Sequence, residues 1–301
     1  VFFNGAATTV STGVTITNNT IGTPGAATPA TPPYTAPATT VYVRGIGVAG
    51  ATAATIAGNT IQNVISYVGV GVAGVELTSA IGAGPIGINN NAITNVVQNS
   101  GSFYARGLSL ASASGTYTAS GNTITNIQNF SASSSGQPNG IFASTTATSA
   151  TIELNKITTV TNRNTGTWGV QGVTLTAGNN VTVRNNTISD VNQVMTGGTA
   201  FSTTFGVVGL RIAGGTGHKI YHNSVNMFGT LLGTATASNL TAAFAIVGTG
   251  QTGIDVRNNI LANTMTGGTT SIAHVPVFLP ASGTSAMNLT WNNNAYYTGS
   301  T

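Results

Sequence analysis

The chain has 301 residues but only eight Lys+Arg and four Asp+Glu, so 4% of it is charged, where an ordinary soluble domain has about 25%. An apolar content of 41% is enough to build a core and argues against global disorder, while 40 glycines fall far short of the one in three of collagen. The formal charge of +4 comes from scattered cations with no basic cluster to neutralise phosphates, which sets nucleic acid aside as a partner, and no apolar run reaches the ~20 residues of a membrane span.

Cysteine is absent, so neither a disulfide framework nor a thiolate metal site is available. Val1 is not an initiator Met, and no charged leader with an apolar stretch follows it. The expectation is that a signal has been removed or that this is a piece of a longer chain. A surface made mostly of Thr, Ser, Asn, Gly and Ala suits an extracellular or cell-surface location.

In chain order one unit recurs. It opens on a small residue followed by alternating aliphatics, passes through a second short alternating segment, and closes on Asn with an aliphatic two places later. The first unit takes Gly5, Val14 to Ile16 and Asn19. A Pro-rich stretch over 22–40, with Pro24, Pro29, Pro32, Pro33 and Pro37, reads as an extended loop inserted in the first coil of a single 1–301 domain. Arg44 to Val48 then leads to Asn59 (NTIQNV, 59–64), and Gly74 with Ile86 to Ile88 leads to Asn91 (NAITNV, 91–96). Arg106 to Leu110 leads to Asn122 (NTITNI, 122–127); after a polar loop from Ser131 to Asn139, Gly140 leads to Asn155 (NKITTV, 155–160). Gln171 to Leu175 and Val181 to Val183 lead to Asn186 (NTISDV, 186–191). Val208 to Ile212 precedes Asn223, Ile254 to Val256 precedes Asn259, and Asn294 closes the series.

From Asn19 to Asn294 the mean period is about 34 residues. The leg from Gly5, Gly45, Gly172 and Gly209 to the following Asn is 14 residues each time, whereas the return leg varies, as a surface loop would. All three segments alternate with period two, and helical periodicity is nowhere sustained. The pattern predicts an all-β parallel β-helix (solenoid) of about nine coils with three short strands per coil. At ~4.8 Å per coil it would make a rod of roughly 40 Å.

These Asn-x-Ile-x-Asn units resemble the repeats of right-handed parallel β-helix proteins, the pectate-lyase-like superfold, and within it the cell-surface and adhesin-type proteins of bacteria. The resemblance runs from Gly5 to about Asn294. It implies a single-stranded right-handed β-helix, a hand that also agrees with the general preference for right-handed crossovers. It leaves function open, because the superfold hosts lyases, hydrolases, phage tailspikes and adhesins.

The repeat assigns its residues to columns. Ile21, Ile61, Ile93, Ile124, Ile157, Ile188 and Val225 are expected to stack inside the coil. Asn59, Asn91, Asn122, Asn155, Asn186, Asn223 and Asn259 are expected to form a structural ladder, amide to amide. A second column four places on holds Asn63, Asn95, Asn126, Thr159, Asp190 and Asn263. Glu153 and Arg184 share one column, and Lys219 and Asp255 another, so each pair is expected side by side on neighbouring strands. Glu76 has no partner in its own column, with Arg106 placed diagonally across from it.

Catalysis is not expected. Glycoside cleavage needs two carboxylates facing one substrate, and the four acids here occupy four different columns. No acid cluster offers the several oxygens that Ca²⁺ takes, so neither a cofactor nor a metal is expected. His218 and His222, four apart, straddle a strand and its corner, and the spacing reads as coincidence. A ligand surface is a better candidate: Tyr42, Tyr104, Trp168 and Phe205, with Phe2, precede the small-residue marker as a sugar-stacking strip or a packed ladder under the loops, beside Arg44, Arg106 and Glu76. Hydroxyls flank the inward Ile, as with Thr123 and Thr125 or Thr187 and Ser189.

The leading expectation is a non-catalytic, secreted or cell-surface structural or adhesive β-helix protein that self-assembles or belongs to a longer stalk. Its partners would be other copies, surface proteins or glycans. The alternatives are a polysaccharide lyase or hydrolase using Glu76 with Arg44 or Arg106, and an ice-binding protein using its Thr columns.

Overall fold

A computed structural model describes residues 2–4, 13–22, 43–67, 69–78, 84–99, 103–110, 115–130, 136–144, 149–163, 169–193, 206–231, 240–268, 273–280 and 284–299. The Pro-rich stretch after Gly22, Gly5, Tyr42, Trp168, Phe205 and residues 131–135 of the second polar loop lie outside them.

The chain winds as a parallel β-solenoid. Three nine-stranded sheets each take one strand from every coil. The first sheet runs from Phe2–Asn4 through Val43–Ala49 and Val72–Thr78 to Ala273–Phe278, the second from Val14–Thr17 to Thr290–Asn292, and the third from Thr20–Ile21 to Ala295–Thr298. Every strand pairing is parallel; Ile61, Ile93, Ile124, Ile157, Ile188, Val225 and Leu261 stand in one register column. All seven are buried in the single large core, with Ile21 partly buried at its end.

The small residue that opens each unit has a steric cause. A Cβ on Gly45, Gly74, Gly107, Gly140 or Gly172 would lie 2.4–2.5 Å from the Cγ2 of the inward Ile of its own coil, and 2.5–2.8 Å from the carbonyl oxygen of the marker glycine one coil on. First and third sheets approach too closely at this edge for any side chain.

The turn into each ladder Asn uses left-handed backbone at the residue before it: Asn18, Gly58, Asn90, Gly121, Leu154, Asn185, His222, Asn258 and Asn293 have φ between 52 and 66°. Asn and Gly reach that region at least cost. His222 therefore holds a corner. A second left-handed corner falls on Asn63, Asn95, Asn126, Thr159 and Asp190, with φ of 53–63°. Asn263 does not belong with them. In the last coils no residue turns left-handed at this point, so the alternation continues and the position four after the ladder Asn points inward: Met227 and Asn263 pair there and both are buried.

Candidate functional site

The ladder is the most regular polar feature. Asn122 donates from Nδ2 to the Ile88 carbonyl (2.8 Å) and to Asn155 Oδ1 (2.9 Å), and the same Oδ1 accepts the Asn122 backbone N–H (3.0 Å). The relay repeats from Asn19 through Asn59, Asn91, Asn122, Asn155, Asn186, Asn223 and Asn259 to Asn294. It is directional, since each amide donates toward the next coil. The second column is discontinuous and mixed in direction. Asn126 donates to Asn95 Oδ1 (2.9 Å) and Asn95 to Asn63, while Thr159 Oγ1 donates to Asp190 (2.8 Å).

The predicted ligand residues converge on the outer face of the first sheet. Register places Glu76 between Gly47 and Ser109, and both Arg44 and Arg106 opposite Ala73. Glu76 is 2% exposed. Its Oε2 accepts from Arg44 Nε, and its Oε1 accepts from the Tyr104 hydroxyl (2.8 Å) and from Ser109 Oγ (3.2 Å). Arg44, one coil back, is thus the ion-pair partner that the column reading of Glu76 did not supply. Arg106 instead lies with its Cζ 3.7 Å from the Tyr104 ring centre and 3.4 Å from that of Phe142, and its Nη1 donates to Ser109 (3.2 Å). Loss of hydration pulls the Arg106 guanidinium down to about 10, while burial and the neighbouring Glu76 carboxylate push the Tyr104 phenol up.

The Glu76 carboxylate is saturated with donors, whereas Arg106 Nε is buried without a hydrogen-bond partner among the described residues. A carboxylate with a guanidinium, a phenol and a hydroxyl already on its oxygens has little capacity left to take a substrate proton. Of the aromatic strip, only the Tyr104 side chain lies among the described residues, and it packs as a brace rather than standing free.

Two other acids have arginine partners of their own. Arg184 Nε lies 2.6 Å from Glu153 on the neighbouring strand, as the column pairing predicts. Asp255 does sit opposite Lys219, but its carboxylate takes Arg257 Nε (2.6 Å) and the Tyr221 hydroxyl (2.7 Å) instead. Two residues on along one strand, Arg257 reaches the same face without crossing a coil. His218 is fully buried; its Nδ1 accepts the Val181 N–H (3.3 Å) and its Nε2–H donates to the Gly214 carbonyl (2.9 Å). Burial pulls this imidazole below its ordinary value. Among the described residues no group of three His, Cys, Asp or Glu side chains could hold a metal ion, and no helix is long and apolar enough to cross a membrane.

Two features escaped the sequence reading. Gln98, Asn129, Asn162 and Gln193, each seven places after a ladder Asn, form another buried amide column at the end of the third sheet. Gln98 donates to the Val70 carbonyl, Asn129 to Phe103 (3.1 Å) and Asn162 to Gly169 (3.3 Å), pinning the segments that lead into first-sheet strands. The constant offset of seven was the available signal. The last coil is also different in kind. Trp291 replaces the aliphatics of its column and meets Phe244 edge to face at 5.5 Å, and with Pro276, Val277, Leu279 and Tyr296 it lines an apolar recess of about 350 Å³.

Compared with known proteins, the chain matches no family model, no curated protein and no solved structure.

Proposed function

We propose that this chain is a structural or adhesive β-helix module of a secreted or cell-surface protein, built to be continued coil upon coil. The observation that carries the reading is the directional ladder. At the first described coil Asn19 Oδ1 receives no donor among the described residues, and at the last the Asn294 N–H finds no acceptor there. A further coil presenting Asn at the same place, from this chain or another copy, would extend the relay and cover the apolar recess around Trp291. Adhesin-like β-helix proteins are the nearest functional analogy, and glycans or neighbouring surface proteins the expected partners. Electron microscopy of the protein as isolated tests it: filaments or end-to-end stacks are expected. Dispersed monomers that bind no surface, glycan or protein would sink it.

The saturated Glu76 supports this reading over polysaccharide cleavage. An enzyme using Glu76 would lose depolymerising activity in Glu76→Gln while keeping its fold, whereas a structural Glu76 predicts lost stability. A second reading, ice binding, draws on one observation: Thr94, Thr125, Thr158 and Ser189 form an unbroken hydroxylic column along the third sheet. Thermal hysteresis near 0 °C decides it.

A further inference from the structure

The first and last described coils differ from the middle of the solenoid and fit each other. In the coil before last the inward side chains Phe244, Val256 and Leu261 are buried; their register partners in the last coil are the half-buried Val277 and Trp291 and Tyr296, which is 48% exposed. At the opposite end Ile16 is 8% exposed and Ile21 half-buried, against 0% for Ile56 and Ile61 on the neighbouring coil. None of the six strands that end the three sheets carries Lys, Arg, Asp or Glu, residues that ordinarily keep open sheet edges apart. Their one proline, Pro276, falls at the marker position, which the register skips, and Val275 and Val277 on either side of it still pair.

The Asn ladder decides which end can meet which. Each ladder Asn donates its backbone N–H and Nδ2 to the Asn one coil on, so the last coil offers the donors of Asn294 and the first offers the acceptor Asn19 Oδ1. Two last coils face to face would set donor against donor, and the two-fold axis relating them would lay at most one sheet on its own counterpart. A last coil on a first coil matches all three sheets at once: Ala273–Phe278 on Phe2–Asn4, Thr290–Asn292 on Val14–Thr17, and Ala295–Thr298 on Thr20–Ile21. Trp291 then faces Ile16 and Tyr296 faces Ile21, which closes the recess of about 350 Å³ with apolar side chains.

We propose that the apolar recess around Trp291 seats the first coil of a second copy of this chain, joining copies head to tail in a single register. Such a contact is heterologous and leaves the same two surfaces open at the ends of every assembly, so it propagates instead of closing. The proposal rests on the coil-stacking reading and names its partner.

The absence of cysteine permits a direct test. Across the seam Asn292 falls opposite Thr17 in one outward column of the second sheet. Asn292→Cys and Thr17→Cys chains, mixed and treated with a short bismaleimide, are expected to give a cross-linked dimer, and either chain alone to remain uncross-linked. In sedimentation velocity, Tyr296→Lys places a charge in the seam and is expected to raise the concentration of half-assembly at least about 100-fold, while Tyr297→Lys, on the outward face, leaves it within about twofold. Cross-linking of Asn292→Cys alone, no dimer in the mixture, or a half-assembly concentration unmoved by Tyr296→Lys would each overturn the proposal. If the mixture stays uncross-linked while the protein still stacks or binds a glycan or surface protein, the head-to-tail partner falls and the coil-stacking reading stands; monomers that bind nothing remove both.

Discussion

The outer faces of the first and third sheets are built on the same coil period and yet differ in almost every physical respect. On the third sheet the alternation is simple: Ile124 points in, Thr123 points out and is exposed. On the first sheet the strands Val170–Leu175 and Val207–Ile212 are buried at every position. Across this sheet the outward residues form a polar strip of Glu76, Arg106, Asn139, Gln171 and Arg211. The third sheet can therefore vary its outward residues freely, as Ala92 and Lys156 in the Thr column show. The first must satisfy each polar group it buries. Glu76 does so by its three donors and the Asn139 amide N–H donates to Gln171 (2.6 Å), while Asn139 Oδ1, Arg106 Nε and Arg211 Nε are buried without a hydrogen-bond partner among the described residues.

The largest expected effect removes a rung shared by all faces. Asn122→Ala strips the Asn91 amide of its acceptor and the Ile88 carbonyl and Asn155 Oδ1 of a donor, all in a dry interior. A loss of about 3–5 kcal/mol in urea unfolding is expected. The neighbouring Thr123→Ala should change stability by less than about 0.5 kcal/mol. Comparable losses at both positions would show that the ladder carries no special share of stability.

The next contrast sets a buried ion pair against an exposed one. Glu76→Gln leaves Arg44 beside an uncharged amide in a buried site and is expected to cost about 3 kcal/mol. Glu153→Gln breaks a pair whose Arg184 side chain is 49% exposed, and should cost at most about 1 kcal/mol and less in high salt. The same unfolding measurement with and without 1 M NaCl separates them; equal costs would erase the distinction between the two faces.

The smallest effect is a pH dependence. His218 has its value lowered by burial, so the unfolded chain takes up a proton before the folded one does. Its contribution is fully present above the ordinary value of 6.5 and is lost as the pH falls through the lower folded value. The thermal midpoint should therefore fall between pH 7 and pH 5, and His218→Gln, which keeps one donor and one acceptor, should flatten that fall. An identical slope in both proteins would place the pH sensitivity elsewhere.

Much of this was present in the order of residues. A period-two alternation broken by Asn or Gly marks short strands, its three-segment repeat of about 34 residues pointed to parallel coils, and the inward Ile, the ladder Asn and the marker Gly followed from spacing alone. These features are local: each depends on how one residue sits relative to the next two or three. The partner of Glu76, the inward turn of Asn263, the amide column from Gln98 to Gln193 and the isolation of Arg211 depend on what lies one coil away or across the coil. Arg44 and Tyr104 reach Glu76 from 32 and 28 residues' distance, over return legs whose length the repeat does not constrain. Sequence determined the coil and its core; which outward side chains are dry, and so must find partners, was decided only when the coils stacked.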